Sequence, residues 1–276
     1  DIGMIMARRL TWEGAKVEAV VEIMPYPSGL VRNKVQCLDD FGIPLYLSHT
    51  VVRVHGKDRV TGITIAKVDD SWKVIPGTEI FFNCDTLLLS VGLIPENEVS
   101  KKAGIKLART NGPEVNQFLQ TTVDGIFASG NVLQVHDLVD NVAIEAKRAG
   151  TMAAMHAMGT KLPSINAPEA VPVVAGNGVG YVVPNKININ VVDALAAKIG
   201  PVKVSFRVKK PVGDQYVKIK NGSTEIYSKF NKHLRPSEMV ILELAPEALK
   251  GVDKANPIEI YLEAKEMNKA VEAKNP

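Results

Sequence analysis

Gly3 and Ala7 stand four positions apart in DIGMIMARRL, and Glu22 follows Gly3 by nineteen, at the end of the run AKVEAVVE. Residues of these types at this spacing suit a dinucleotide cradle. In the pattern GxGxxGxxxA the last glycine lets a helix lie close to the preceding strand, and the alanine keeps that helix face thin. An acidic residue about twenty positions on accepts hydrogen bonds from ribose hydroxyls and repels a 2′-phosphate, so Glu22 favours NAD over NADP. The earlier glycines of such a pattern, which make the tight turn at the pyrophosphate, are absent before Gly3. Taken singly, the small residues suit any close-packed helix and Glu22 any surface loop.

Two further glycine turns join this set. CDTLLLSVGLIPE places Gly92 behind a continuous apolar run, the pattern of a central strand whose C-terminal end carries a loop. Ligands gather at such ends in open α/β sheets. TTVDGIFASGNV predicts a short strand over DGIFASG, then a turn holding Gly130 and Asn131, with Val132 leading onward. The helix expected over NVAIEAKRAGTMAAMHAMG would direct its first N–H groups toward that turn.

Other residues with chemical potential fare less well. His136, Asp137 and Asp140 sit together in VHDLVDNV. A histidine that titrates near neutrality could act as a general acid or base there; a structural hydrogen bond in a loop is the favoured role, and no catalytic residue is assigned. His49, His55, His156 and His233 lack the mutual spacing of a metal site. Cys37 and Cys84 form no CxxC, which argues against a redox dithiol, a four-thiolate zinc site or an iron–sulfur site, and both suit buried small hydrophobes. AGNGVG at 175–180 lacks the strand-to-helix setting and the lysine of a phosphate loop, so it is expected to be a turn.

The elements that must hold these residues follow from apolar periodicity. A helix is expected over 2–14, with Ile2, Ile5, Met6 and Leu10 on its apolar surface, and then a strand over 15–23 with Val17, Ala19, Val21 and Ile23 on one side. A second helix ends at Gly42, and the runs in IPLYLSHTVVRVHG, RVTGITIAKV and TEIFFN read as strands. The helix after Asn131 has Val142, Ile144, Ala149, Met152, Ala153 and Met158 on its apolar face. Near residue 161 the texture turns proline- and glycine-rich, and short alternating runs follow, with Asn221-Gly222 marking a hairpin. Residues 171–265 are expected to form a small β-sandwich-like domain, and EAKEMNKAVEAKNP a charged helix or frayed tail.

Composition sets the outer bounds. The 276 residues, 46% of them apolar, suffice for two domains with their own cores. Thirty-three basic against thirty acidic residues leave a net charge of +3 scattered along the chain, which argues against nucleic-acid binding. No run approaches the roughly 20 apolar residues of a membrane span, and no signal-peptide pattern opens the chain. These features point to a cytoplasmic protein.

DIGMIMARRLTWEGAKVEAVVE resembles the second nucleotide-binding motif of the FAD/NAD(P)-dependent pyridine nucleotide-disulfide oxidoreductase superfamily. CDTLLLSVGLIPE is similar to the strand and turn that close the NAD domain in that superfamily, and TTVDGIFASGNV to its returning FAD-binding segment. A narrower likeness, through QCLDDFGIPLYLSHTV, VHDLVDNVAIEAKRAG and the C-terminal YVVP, VSFRVKKP and LRPSEM, is to FAD-dependent oxidoreductases associated with anaerobic glycerol-3-phosphate dehydrogenase-like proteins.

The resemblance implies an α/β fold: a truncated Rossmann-like NAD-binding domain over 1–115, a returning FAD-domain segment over 116–162, and a small mainly-β domain over 163–276. It also implies that a first strand and an N-terminal FAD domain precede Asp1. The cofactors would be FAD and NAD. Gly3 and Ala7 would lie under the NAD pyrophosphate, Glu22 at its ribose, and Gly92 beside the nucleotides, with Gly130, Asn131 and Val132 near the FAD pyrophosphate and ribityl chain. The superfamily has aspartate where this chain has Asn131, which brings no negative charge beside a diphosphate. The implied partners are a second flavoprotein dehydrogenase subunit and a small cysteine-rich subunit, or further copies of the chain. The competing expectation is a noncatalytic scaffold that keeps the fold without holding both cofactors.

Overall fold

A computed structural model describes residues 1–191 and 200–265, and the chain divides into two compact units, Asp1–Gly92 and Leu93–Pro276. The expected tail lies outside the described residues beyond Lys265.

In the first unit, α1 (Ile2–Trp12) buries Met4 and Ala7, which meet Cys37, Leu38 and Ile43 in a small core. α2 (Val31–Cys37) supplies part of that core and passes through a short 3-10 turn to Gly42, which ends it in the left-handed conformation. β1 (Val20–Glu22) and β2 (Leu45–Leu47) pair in parallel, with Glu22 opposite Leu47. The expected strand over 15–23 is thus cut to three residues, because β2 offers a ladder only that long. β3 (His49–His55), β4 (Gly62–Lys67) and β5 (Ile80–Phe82) form an antiparallel meander in the expected order, with Ile63, Ile65 and Ala66 buried on its central strand.

The expected central strand over LLLSV is a correction. Residues 86–97 carry no strand, and Leu89 and Val91 are 72% and 90% exposed. A strand exists through a ladder with a neighbour, and no described segment pairs with this one.

The second unit opens with α3 (Glu98–Lys102) and a loop-rich stretch that buries Val115, Phe118 and Leu119. The strand expected over DGIFASG reduces to an isolated bridge between Gln120 and Phe127, since the segment doubles back on itself within a few residues. α4 (Val139–Ala157) forms as expected, with Ala149 and Met152 of the expected face inward and Val142 and Ala153 half-buried, but with that face narrower than expected. Ala149 and Met152 are buried, whereas Ile144 and Met158 are exposed; the inward stripe passes through Glu145, Ala149 and Met152, at the i, i+4, i+7 spacing of one helical face.

Beyond α4 two sheets share one apolar core. The larger has the order β11 (Thr224–Leu234), β10 (Val212–Asn221), β13 (Ile258–Ala264), β6 (Ala170–Ala175), β8 (Lys186–Asn188). The smaller joins β12 (Val240–Leu244), β9 (Val202–Val208) and β7 (Val179–Val183). Alternate residues such as Val204, Phe206, Val217, Ile219, Ile258 and Ile260 fill the space between them, which gives the sandwich-like arrangement its cohesion. The Asn221-Gly222 turn closes the β10–β11 hairpin, and Gly178 turns the chain between β6 and β7.

Candidate functional site

Gly3 lies in the first turn of α1 against the segment that precedes Gly92. A Cβ at Gly3 would stand 3.2 Å from Ser90 Cβ and 3.3 Å from Ser90 Oγ, tighter than ordinary contact, so a side chain here would press Ser90 back by a few tenths of an ångström. Ala7, one turn later, is buried in the small core, where a larger side chain would push α1 away from Cys37 and Leu38. Gly92 has φ +101 with open space around its missing side chain, and its role is backbone shape. The fold therefore brings Gly3 to the Ser90–Gly92 turn.

Glu22 ends β1 on the side where parallel strands present ligand loops. Its Oε1 accepts the Met24 N–H at 2.9 Å and its Oε2 accepts the Ser28 hydroxyl at 2.7 Å. A carboxylate has about four acceptor positions, so these bonds orient Glu22 without exhausting it. Nearby, burial and the Glu22 charge push the Tyr26 phenol above its ordinary value. Asp1 ties the two helix starts together, since its Oδ1 accepts the Leu30 N–H at 2.7 Å and Asn33 Nδ2–H at 2.8 Å.

In the second unit Gly130 is buried, with φ +72, a conformation costly for other residues. Its N–H donates to Glu145 Oε1 at 2.7 Å, across the first turns of α4. Gln134 Nε2–H donates to Glu145 Oε2 at 2.7 Å, and His136 Nε2 lies 3.1 Å from Oε1. Asn131 Oδ1 accepts the His136 N–H at 3.1 Å, which turns its carboxamide back onto the loop. The Val132 carbonyl accepts from Asn97 Nδ2 at 2.7 Å, and the same nitrogen donates to the Asn111 carbonyl at 2.8 Å. The Gly130–Val132 turn is therefore held at one end by the largely buried Glu145 and at the other by the buried Asn97.

His136, Asp137 and Asp140 go to separate partners, and His136 takes the structural role favoured for it. The His136 side chain is 2% exposed and packed against Glu145, a structural placement. Asp137 Oδ1 accepts from Arg207 Nη2 at 3.0 Å, and Arg207 also donates to the Val135 and Pro236 carbonyls, which fastens this loop to β9. Asp140 is exposed in the first turn of α4. Among the other histidines, His49 Nδ1 contacts the Leu47 carbonyl and His55 Nε2 the Thr64 hydroxyl. Cys37 is buried, Cys84 half-buried, and neither is in a disulfide. Among the described residues no group of three His, Cys, Asp or Glu side chains could hold a metal ion, and no helix is long and apolar enough to cross a membrane.

Glu145 and Asn97 are residues that sequence reading overlooked, and Arg207, which in RVKKP suits a solvated strand edge, is instead largely buried against Asp137. Glu145 alone leaves a local trace, as an acid within the Ala149–Met152 face of α4. Asn97 and Arg207 act through partners 35 and about 70 positions away, which no short-range pattern reveals.

The chain matches the pyridine nucleotide-disulphide oxidoreductase family over residues 2–159, more than half its length. It is 28% identical over 144 residues to the NADH oxidase of Methanocaldococcus jannaschii, covering 50% of this chain and 29% of that protein. It is 26% identical over 97 residues to the NAD(P)H sulfur oxidoreductase (CoA-dependent) of Pyrococcus abyssi, covering 35% of this chain and 19% of that protein. The chain thus spans less than a third of the length of either relative. Among solved structures it is similar to a thioredoxin reductase of T. acidophilum, with TM-score 0.46 and 22% identity over 51% of this chain and 45% of that one. By its match over residues 2–159, this chain belongs to the pyridine nucleotide-disulphide oxidoreductase family, whose members are FAD/NAD(P)-linked redox proteins.

Proposed function

We propose that this chain serves a flavoprotein oxidoreductase that passes electrons between FAD and NAD(H). Residues 1–115 would be its partial NAD-binding domain, 116–162 the returning segment of its FAD domain, and 163–276 a β domain used in assembly. The proposal extends to kinship with the FAD-dependent oxidoreductases associated with anaerobic glycerol-3-phosphate dehydrogenase-like proteins. It further extends to work in the cytoplasm beside a second flavoprotein dehydrogenase subunit and a small cysteine-rich subunit, or as a homo-oligomer.

The observation that supports this most is the close approach of Gly3 to Ser90, in a unit where Glu22 ends the neighbouring parallel strand with acceptor capacity to spare. Bound flavin and nicotinamide would supply the hydride chemistry themselves. The chain's own work is to position them. Gly3 and Ala7 keep α1 thin where a pyrophosphate must lie close, Glu22 accepts from ribose hydroxyls, and Gly92 shapes the adjoining turn. Gly130, held by Glu145, and Asn131 and Val132 after it would face the second nucleotide.

Asn131 favours one rival, a scaffold that keeps the fold without chemistry. Its carboxamide is turned onto the His136 N–H and offers no carboxylate to the second nucleotide. Flavin absorbance and NADH titration, on this chain and in parallel on a longer form carrying the upstream sequence, separate the two. Oxidoreductase function predicts NADH binding by both and flavin retention by the longer form. Neither signal in either protein would leave the scaffold.

A further inference from the structure

In the second unit a cavity of about 310 Å³ lies between α4, the Gln134–His136 loop and strands β9 and β12. That volume is at the lower end of small-molecule sites. Leu119, Met152, Val183 and Ile241 give it apolar walls, while Lys147, Arg148 and Lys203 against Glu145 make its charged lining predominantly cationic.

The charges are unequally satisfied. Glu145 is engaged by Gly130, Gln134 and His136, and Lys203 pairs with Glu243 at 3.2 Å. Arg148 is different. Its Nε donates to the Gln117 carbonyl and its Nη1 to the Pro201 carbonyl, both at 3.1 Å, but its Nη2 is buried without a partner among the described residues. His136 Nδ1, on the same lining, is also buried without one. An unmet guanidinium nitrogen is costly, and a carboxylate oxygen is the acceptor that best repays it. Burial lowers the Arg148 pKa, with the Glu243 charge opposing, and a guanidinium stays protonated in a protein regardless.

We propose that this cavity binds a small monocarboxylate with an apolar body, its carboxylate paired with the Arg148 guanidinium and its body against Met152 and Ile241. None of the residues placed at the nucleotides lines the cavity, but Glu145 and His136 in its wall bond Gly130 and Asn131 and so join it to that turn.

Calorimetric titration of the full chain with phenylacetate and with its neutral counterpart phenylacetamide tests this. Saturable binding of phenylacetate is expected, with phenylacetamide weaker by about tenfold or more. Arg148→Gln should erase that preference and Arg148→Lys restore part of it. Ile241→Trp, which leaves Arg148 intact and fills the cavity from a half-exposed position, should weaken both probes. Equal affinity for the two probes in the unaltered protein, or no saturable binding of phenylacetate, would overturn the proposal even if the Arg148 variants fail to fold.

Discussion

Each unit sets one glutamate against a loop of its own, and the two are used in opposite ways. Glu22 in Asp1–Gly92 is half-buried at a strand end, fixed by one backbone and one hydroxyl donor, with acceptor positions left over. Glu145 in Leu93–Pro276 is spent on its own loop, holding Gly130, Gln134 and His136. The surroundings differ in the same sense. Glu22 stands near a small core around Met4, Ala7 and Leu38, whereas the second unit has the broad sandwich core around Phe206 and Ile260. A carboxylate with two partners keeps room to recognise a ligand; one engaged by three partners of its own loop builds the frame.

If that division is right, substitutions in the second unit should cost stability and those at Glu22 should cost recognition. Asp137→Ala has the largest expected effect, since it takes the carboxylate from the largely buried Arg207 guanidinium and leaves it only carbonyl partners, and a loss of about 3 kcal/mol should appear in urea denaturation. Glu145→Ala leaves several buried donors of the Gly130 loop unmatched and should cost about 1–3 kcal/mol in the same assay. Gly130→Ala meets no steric obstacle, because its Cβ would lie 3.6 Å from Val142, but it must hold φ +72, so about 1–2 kcal/mol is expected. A Glu145 variant as stable as the parent would break the contrast outright.

A smaller effect sits in alkaline solution. Burial holds the Tyr181 phenol above its ordinary value, so the folded state keeps that proton more tightly than the unfolded chain does. Its contribution is fully present below the unfolded pKa of about 10 and is lost as pH rises from there through the folded value. Tyr181→Phe should flatten the fall in melting temperature above pH 10, and an unchanged slope would remove Tyr181 as its source.

What could be read from the sequence, and what could not, divides along range. α1, α2, the β3–β4–β5 meander and the β10–β11 hairpin rest on local periodicity and turn residues such as Gly42 and Gly222, and each forms where expected. The strands expected over LLLSV and DGIFASG fail because an apolar run states a wish for burial without naming a neighbour. β6 joins β13 from over eighty positions away, a pairing invisible to any window. Among site residues, Gly3, Ala7 and Glu22 stood out through spacing, and Gly92, Gly130, Asn131 and Val132 through the strand-to-turn pattern. Asn97 and Glu145, which hold the second turn, and Arg207, which fastens the loop after it, act through contacts that only the fold creates.

Whether Glu22 recognises a ribose is decided by nucleotide titration of the Glu22→Gln variant. NADH should bind the unaltered chain saturably and NADPH at least about tenfold more weakly. Glu22→Gln should weaken NADH by about tenfold and narrow the gap to NADPH while leaving the melting temperature in place. Unchanged NADH affinity and unchanged selectivity in a folded Glu22→Gln protein would contradict that recognition.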